Sequence, residues 1–189
     1  MELEEIQEYV KNTLSEKRYN HCVGVMERAK ELAQKYGADV ETCAKIGIAH
    51  DVAKEIPEEE KIKYCTDNNI EIDEIERVNT SLLHAKIGKD IAMKKFGFNE
   101  SMGNAILNHT TGSKNMDIYS KILFIADRTS LDRNFEDLEY LKSLEEKGID
   151  EAVLYILDKK IALQIQKRAP IHLNGIIARN SLLEEIDRK

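Results

Sequence analysis

Apolar residues recur at intervals of three and four almost everywhere in this chain. The run Cys22, Val25, Met26, Ala29, Leu32, Ala33, Tyr36 has the period of a helix with one buried face, not of a strand. The chain is therefore expected to be all-α. Only two prolines and nine glycines punctuate it, and Gly37, Pro57, Gly97, Gly148 and Pro170 fall where helices should begin or end. The pattern predicts a bundle of about nine helices, ten segments when the short ones are counted generously, over residues 2–14, 17–36, 39–54, 57–68, 80–96, 99–109, 117–129, 135–147, 150–168 and 174–187. No repeat, linker or low-complexity tract divides the 189 residues, so a single domain over 1–189 is expected.

Apolar residues make up 42% of the chain and charged residues 33%, the balance of a folded protein. A formal net charge of -7 argues against a nucleic-acid partner, because phosphate backbones need a clustered cationic face. A small anionic substrate stays compatible with that charge if metal ions supply the positive potential. Cys22, Cys43 and Cys65 are odd in number and lie in helical patterns, which disfavours a disulfide framework and points to a reducing cytoplasm. Met1-Glu2-Leu3-Glu4-Glu5 is acidic where a signal peptide would be cationic, and no apolar stretch approaches the roughly 20 residues that span a bilayer. Neither export nor membrane insertion is expected. The pattern does not separate a dimer-forming helix face from the core, so oligomeric state stays open.

Four of the five histidines, with two aspartates, form the set His21, His50, Asp51, His84, His109 and Asp127. Imidazole nitrogens mixed with carboxylate oxygens suit iron, manganese or zinc, whereas calcium would take oxygens alone. The six residues fall on five predicted helices, which a bundle can aim inward at one point. His50 and Asp51 are consecutive and diverge by roughly 100° on a helix, so they share an ion only if side-chain torsions bring them round. Ile46, Ile48 and Ala49 before His50, and Ile122 to Ala126 before Asp127, are core-like. A carboxylate buried there needs a cation. On the residues alone that cation is either a metal or an arginine, Arg128 or Arg18. A lone buried histidine is ordinarily a core residue bonded to a carbonyl; it is the set that argues for a metal.

His109-Thr110-Thr111-Gly112 offers hydroxyls and backbone amides after a helix, a grip for phosphate oxygens, although a plain helix-terminating turn reads the same way. Lys54, one helical turn beyond His50, could meet a phosphate as a point charge or simply be solvated. Glu58, Glu59 and Glu60 after Pro57 complement a helix dipole. His172 falls in an expected loop without metal-ligand company.

With these residues assembled, the pattern of His21, His50-Asp51 and Asp127 resembles the HD superfamily of metal-dependent phosphohydrolases, and His84 and His109 resemble its two-metal form. More closely, Arg18-Tyr19-Asn20-His21, Ala49-His50-Asp51-Val52-Ala53-Lys54, Leu83-His84-Ala85, His109-Thr110-Thr111-Gly112 and Ile125-Ala126-Asp127 resemble the YqeK family of symmetrical dinucleoside tetraphosphate hydrolases. Pro170-Ile171-His172 and Ala178-Arg179-Asn180 extend the similarity over nearly the whole chain. Ser113-Lys114-Asn115 and Arg128-Thr129-Ser130-Leu131-Asp132 depart from it, with Arg128 and Arg133 available to replace lost phosphate contacts.

The resemblance implies an HD-domain helical bundle that hydrolyses diadenosine tetraphosphate to two ADP. It implies one or two divalent transition metals, iron first and manganese or another as alternatives. In that reading His21, His50, Asp51 and Asp127 are the catalytic residues and hold one metal, while His84, His109 and a bridging Asp51 hold a second. Arg18, Lys54, Thr110, Thr111, Gly112, Arg128 and Arg133 are the substrate-binding candidates. Three other activities share these features: a phosphohydrolase of nucleoside monophosphates or cyclic dinucleotides, a di-iron oxygenase, and a non-catalytic nucleotide sensor.

Overall fold

The structure, a computed structural model, describes residues 1–130 and 137–187. Among the described residues there are eleven α-helices and no strand. They are α1 (Leu3–Thr13), α2 (Glu16–Tyr36), α3 (Val40–Ala49), α4 (Glu58–Asp67), α5 (Glu74–Val78), α6 (Leu83–Phe96), α7 (Glu100–Asn108), α8 (Ile118–Thr129), α9 (Leu138–Lys147), α10 (Ile149–Gln166) and α11 (Leu173–Asp187), with a 3₁₀ turn at Thr80–Leu82.

The caps explain most boundaries. Ser15 accepts a hydrogen bond from the Arg18 amide to start α2, and Gly37, at φ 70°, ends it. Asp39, Asn99 and Asp117 open α3, α7 and α8 in the same way, each accepting from the amide three residues on.

Three expectations need correction. The expected helix over 39–54 stops at Ala49, and the chain passes through successive turns before α4. The count of about nine is also low, because α5 has only five residues, too few to show a helical period. The expected 80–96 helix divides into the 3₁₀ turn and α6. The start of the expected 135–147 helix lies partly outside the described residues.

Packing then places the site. α2 lies against α3 and α8, α7 against α6 and α8, and α10 against α8, α9 and α11. The α2–α3 approach is close enough that a Cβ on Gly47 would stand 2.8 Å from the Met26 Cα. The core between these helices includes Val25, Leu32, Ile46, Ile48, Ile106, Ile122, Phe124 and Ile156. All three cysteines are free and buried. No helix among the described residues is long and apolar enough to cross a membrane.

Candidate metal centre

The six His and Asp side chains converge from α2, the α3 end, α6, the α7 end and α8. His21 Nε2 lies 3.1 Å from Asp127 Oδ1, and His50 Nε2 lies 3.8 Å from the same oxygen and 3.6 Å from Asp51 Oδ2. Asp51 Oδ1 sits 3.2 Å from His84 Nε2 and 3.6 Å from His109 Nε2. The early end of α3 is what permits this. His50 is the cap that follows the last helical residue and Asp51 is already in the turn, so their side chains need not diverge as on a continuing helix.

Three of the rings are anchored alike. His50 Nδ1 donates to the Gly47 carbonyl at 2.7 Å, His109 Nδ1 donates to the Ile106 carbonyl at 2.6 Å, and His84 Nδ1 donates to the Ser81 carbonyl. A carbonyl only accepts, so each Nδ1 carries the proton and each Nε2 presents a lone pair inward. Burial pushes His50 and His84 down to about 4, so both are neutral near pH 7. Burial opposes ionisation of the carboxylates. The imidazoles around them outweigh it, and Asp51 and Asp127 stay well below the usual carboxylate range.

The donor set fits a metal. His50 Nε2 and Asp51 Oδ1 are buried and make no hydrogen bond among the described residues. Two triads, His21, His50, Asp127 and His50, Asp51, His109, have ligand atoms within 4.8 Å of one another. The arginine alternative is realised at Asp51 Oδ2, to which Arg18 Nη1 donates at 3.0 Å, while Oδ1 faces the imidazoles. At the other end, Lys54 Nζ lies 3.2 Å from His84 Nε2, and Thr110 Oγ1 lies 3.1 Å from His109 Nε2. Lys54 thus reaches the centre from the turn after α3, not from a helix as expected.

A cavity of about 330 Å³ adjoins the centre through Thr110. Thr110, Thr111, Arg128 and Lys160 line it along with apolar side chains such as Leu157 and Ile161. Gly112 does not line it; at φ 75°, with Ala178 Cβ 2.9 Å from where its own Cβ would be, it lets the turn pack against α11. Arg133 lies outside the described residues. His172, expected to lack such company, places Nε2 2.8 Å from Asp73 Oδ2, near Glu76, at the rim of the cavity. The loop is as expected, but its neighbours are the cap and first turn of α5, with Asp73 99 residues away and in no helix that the sequence pattern predicts. Lys160, on α10, was likewise missed; nothing in its local pattern separates it from a solvated lysine.

Residues 18–132 match the HD domain family. The symmetrical bis(5'-nucleosyl)-tetraphosphatase of Halalkalibacterium halodurans is 32% identical over 93% of this chain and 94% of its own. The protein of the same description from Bacillus subtilis is 29% identical over 97% and 98%. A crystal structure of a predicted HD superfamily hydrolase involved in NAD metabolism, from Clostridium acetobutylicum, is 37% identical with a TM-score of 0.92, covering 100% of this chain and 99% of that one. The helical bundle, the converging histidines and aspartates, and these near full-length similarities place the chain in the HD domain family, among relatives of the symmetrical dinucleoside tetraphosphate hydrolases.

Proposed function

We propose that the protein hydrolyses diadenosine tetraphosphate symmetrically, adding one water across the central phosphoanhydride to give two ADP. The observation that carries this reading is the inward convergence of anchored Nε2 lone pairs on two ionised carboxylates, with buried polar atoms left unsatisfied. His21, His50, Asp51 and Asp127 would hold one divalent transition metal, and His84, His109 and Asp51 a second, with iron or manganese the chemical match. Such ions supply an activated water near neutral pH and polarise a phosphoryl oxygen.

The chain's own groups divide the remaining work. The Nδ1 bonds to Gly47, Ser81 and Ile106 keep the rings from turning, and Arg18 fixes Asp51 through one oxygen. Lys54, Thr110, Thr111 and Arg128 would meet phosphate oxygens, and the apolar part of the cavity would pack a nucleoside and exclude water. At about 330 Å³ the cavity suits one nucleoside half of the substrate better than the whole dinucleotide. The free cysteines accord with a reducing cytoplasm.

The test is chromatography of products after iron- or manganese-loaded protein meets diadenosine tetraphosphate. ADP alone, lost in Asp51→Ala, supports the proposal. ATP plus AMP refutes the symmetrical cut, and uncut substrate across both metals refutes the substrate.

A further inference from the structure

His172 sits in the loop between α10 and α11, and its side chain is only 13% exposed. Both of its ring nitrogens are committed. Nε2 donates to Asp73 Oδ2 at 2.8 Å, and the Asn174 amide donates to Nδ1 at 3.2 Å. An amide N–H only donates, so Nδ1 presents its lone pair there and the proton sits on Nε2. Asp73 is itself fixed: its Oδ1 accepts from the Ile75 and Glu76 amides as the cap of α5, and its own amide donates to Glu76 Oε2. Glu76 Oε2 also accepts from Lys86 Nζ at 2.6 Å. The carboxylates beside His172 are thus engaged by a helix cap and an ammonium, and they serve to hold the imidazole in place.

A ring pinned at both nitrogens has its faces left to offer. His172 lines the cavity that adjoins the metal centre, in company with Ile75, Ile171 and Leu163. Among the described residues lining that cavity it carries the only aromatic ring. Thr110 lines the same cavity, and its hydroxyl lies 3.1 Å from His109 Nε2 in the centre. A nucleotide whose phosphates reach the centre therefore leaves its base among apolar side chains, where a flat π face gives it a stacking partner. Holding the ring in advance removes the side-chain freedom that stacking would otherwise have to freeze.

We propose that His172 is a specificity-determining residue, the platform on which the purine base of one nucleoside diphosphate half stacks, held ready by Asp73 and the Asn174 amide. This role rests on the reading of the site as one for a dinucleoside polyphosphate.

The test uses the metal-loaded full chain as wild type, His172→Ala, His172→Leu and His172→Phe. Calorimetry measures binding of ADP and of inorganic pyrophosphate, beside kcat and KM for diadenosine tetraphosphate. His172→Ala and His172→Leu should each weaken ADP binding roughly tenfold and leave pyrophosphate binding as in wild type. Both should raise KM more than they lower kcat. His172→Phe, which keeps a π face without either hydrogen bond, should retain most of the ADP affinity. The Leu variant fills the space without a ring, so it decides the matter if the Ala variant does not fold. ADP bound as tightly by the Leu variant as by wild type, a Phe variant as impaired as the Leu one, or a parallel loss of pyrophosphate binding overturns the proposal. Wild-type protein that binds pyrophosphate and not ADP overturns it as well. Wild-type protein that binds ADP and leaves the dinucleotide uncut refutes the substrate reading, while the ADP arm still decides His172.

Discussion

His84 Nε2 stands 3.1 Å from His109 Nε2, and the opposite nitrogen of each ring is committed to a main-chain carbonyl. Two imidazoles so anchored direct their lone pairs at one small volume beside Asp51 Oδ1. Lys54 and Thr110 meet those lone pairs with one donor each, a partial substitute for an ion. His84→Ala or His109→Ala should therefore lower the metal content of anaerobically loaded protein by about one ion per chain while leaving the ion at His21, His50, Asp51 and Asp127. Elemental analysis reads this directly; unchanged metal content in both variants would remove these rings from the ligand set.

The metal-free protein should be acid-labile. His50 and His84 are held near 4 when folded and return toward 6.5 when unfolded, so between those values the unfolded chain binds more protons. Their contribution is fully present above about 6.5 and is lost as pH falls toward 4. Asp51 and Asp127, also depressed, extend the loss below the ordinary carboxylate range. Thermal melting of metal-free protein across this interval should show a falling Tm; a flat profile would contradict the buried, neutral rings.

Arg28 Nη2 donates to both oxygens of Glu145 at 2.7 and 2.6 Å, and Arg28 Nε donates to Thr129 Oγ1 at 3.0 Å, which ties α2 to α9 and to the end of α8. The Glu145 side chain is only 3% exposed. Removing the arginine leaves a buried carboxylate with Lys35 at 4.0 Å as its nearest remaining cation. Arg28→Met should cost about 3 kcal/mol, with much of it recovered in Arg28→Met/Glu145→Leu. Urea unfolding of both variants checks the pair, and a single variant within error of wild type would show that this ion pair does not hold α9.

A methyl group at Gly47 would meet the Met26 main chain at 2.8 Å, so α2 and α3 must separate to admit it. Gly47→Ala should destabilise by about 1–3 kcal/mol. It should also loosen metal binding, because the Gly47 carbonyl anchors His50. Stability and metal affinity measured together test the link; loss of one without the other would break it.

Much of this was legible in the sequence because its signals are local. The helical period survives along α2, and the histidines and aspartates stand out against apolar neighbours such as Ile46 and Ile122. The end of α3 was hidden, since no glycine or proline follows Ala49 until Pro57. That stop is what allows His50 and Asp51 to face one centre. Lys160 and the Asp73–His172 pair depend on contacts 50 and 99 residues apart, beyond the reach of periodicity. α5 was too short to register.

The central claim is that these six side chains form a metal centre that splits a dinucleoside tetraphosphate in the middle. The most direct measurement is mass spectrometry of the products formed by iron- or manganese-loaded protein in ¹⁸O-labelled water. The account predicts ADP as the sole nucleotide product, half of it carrying one ¹⁸O on its terminal phosphate, and none formed by Asp51→Ala. ATP and AMP in equal amounts, or ADP without label, would contradict it.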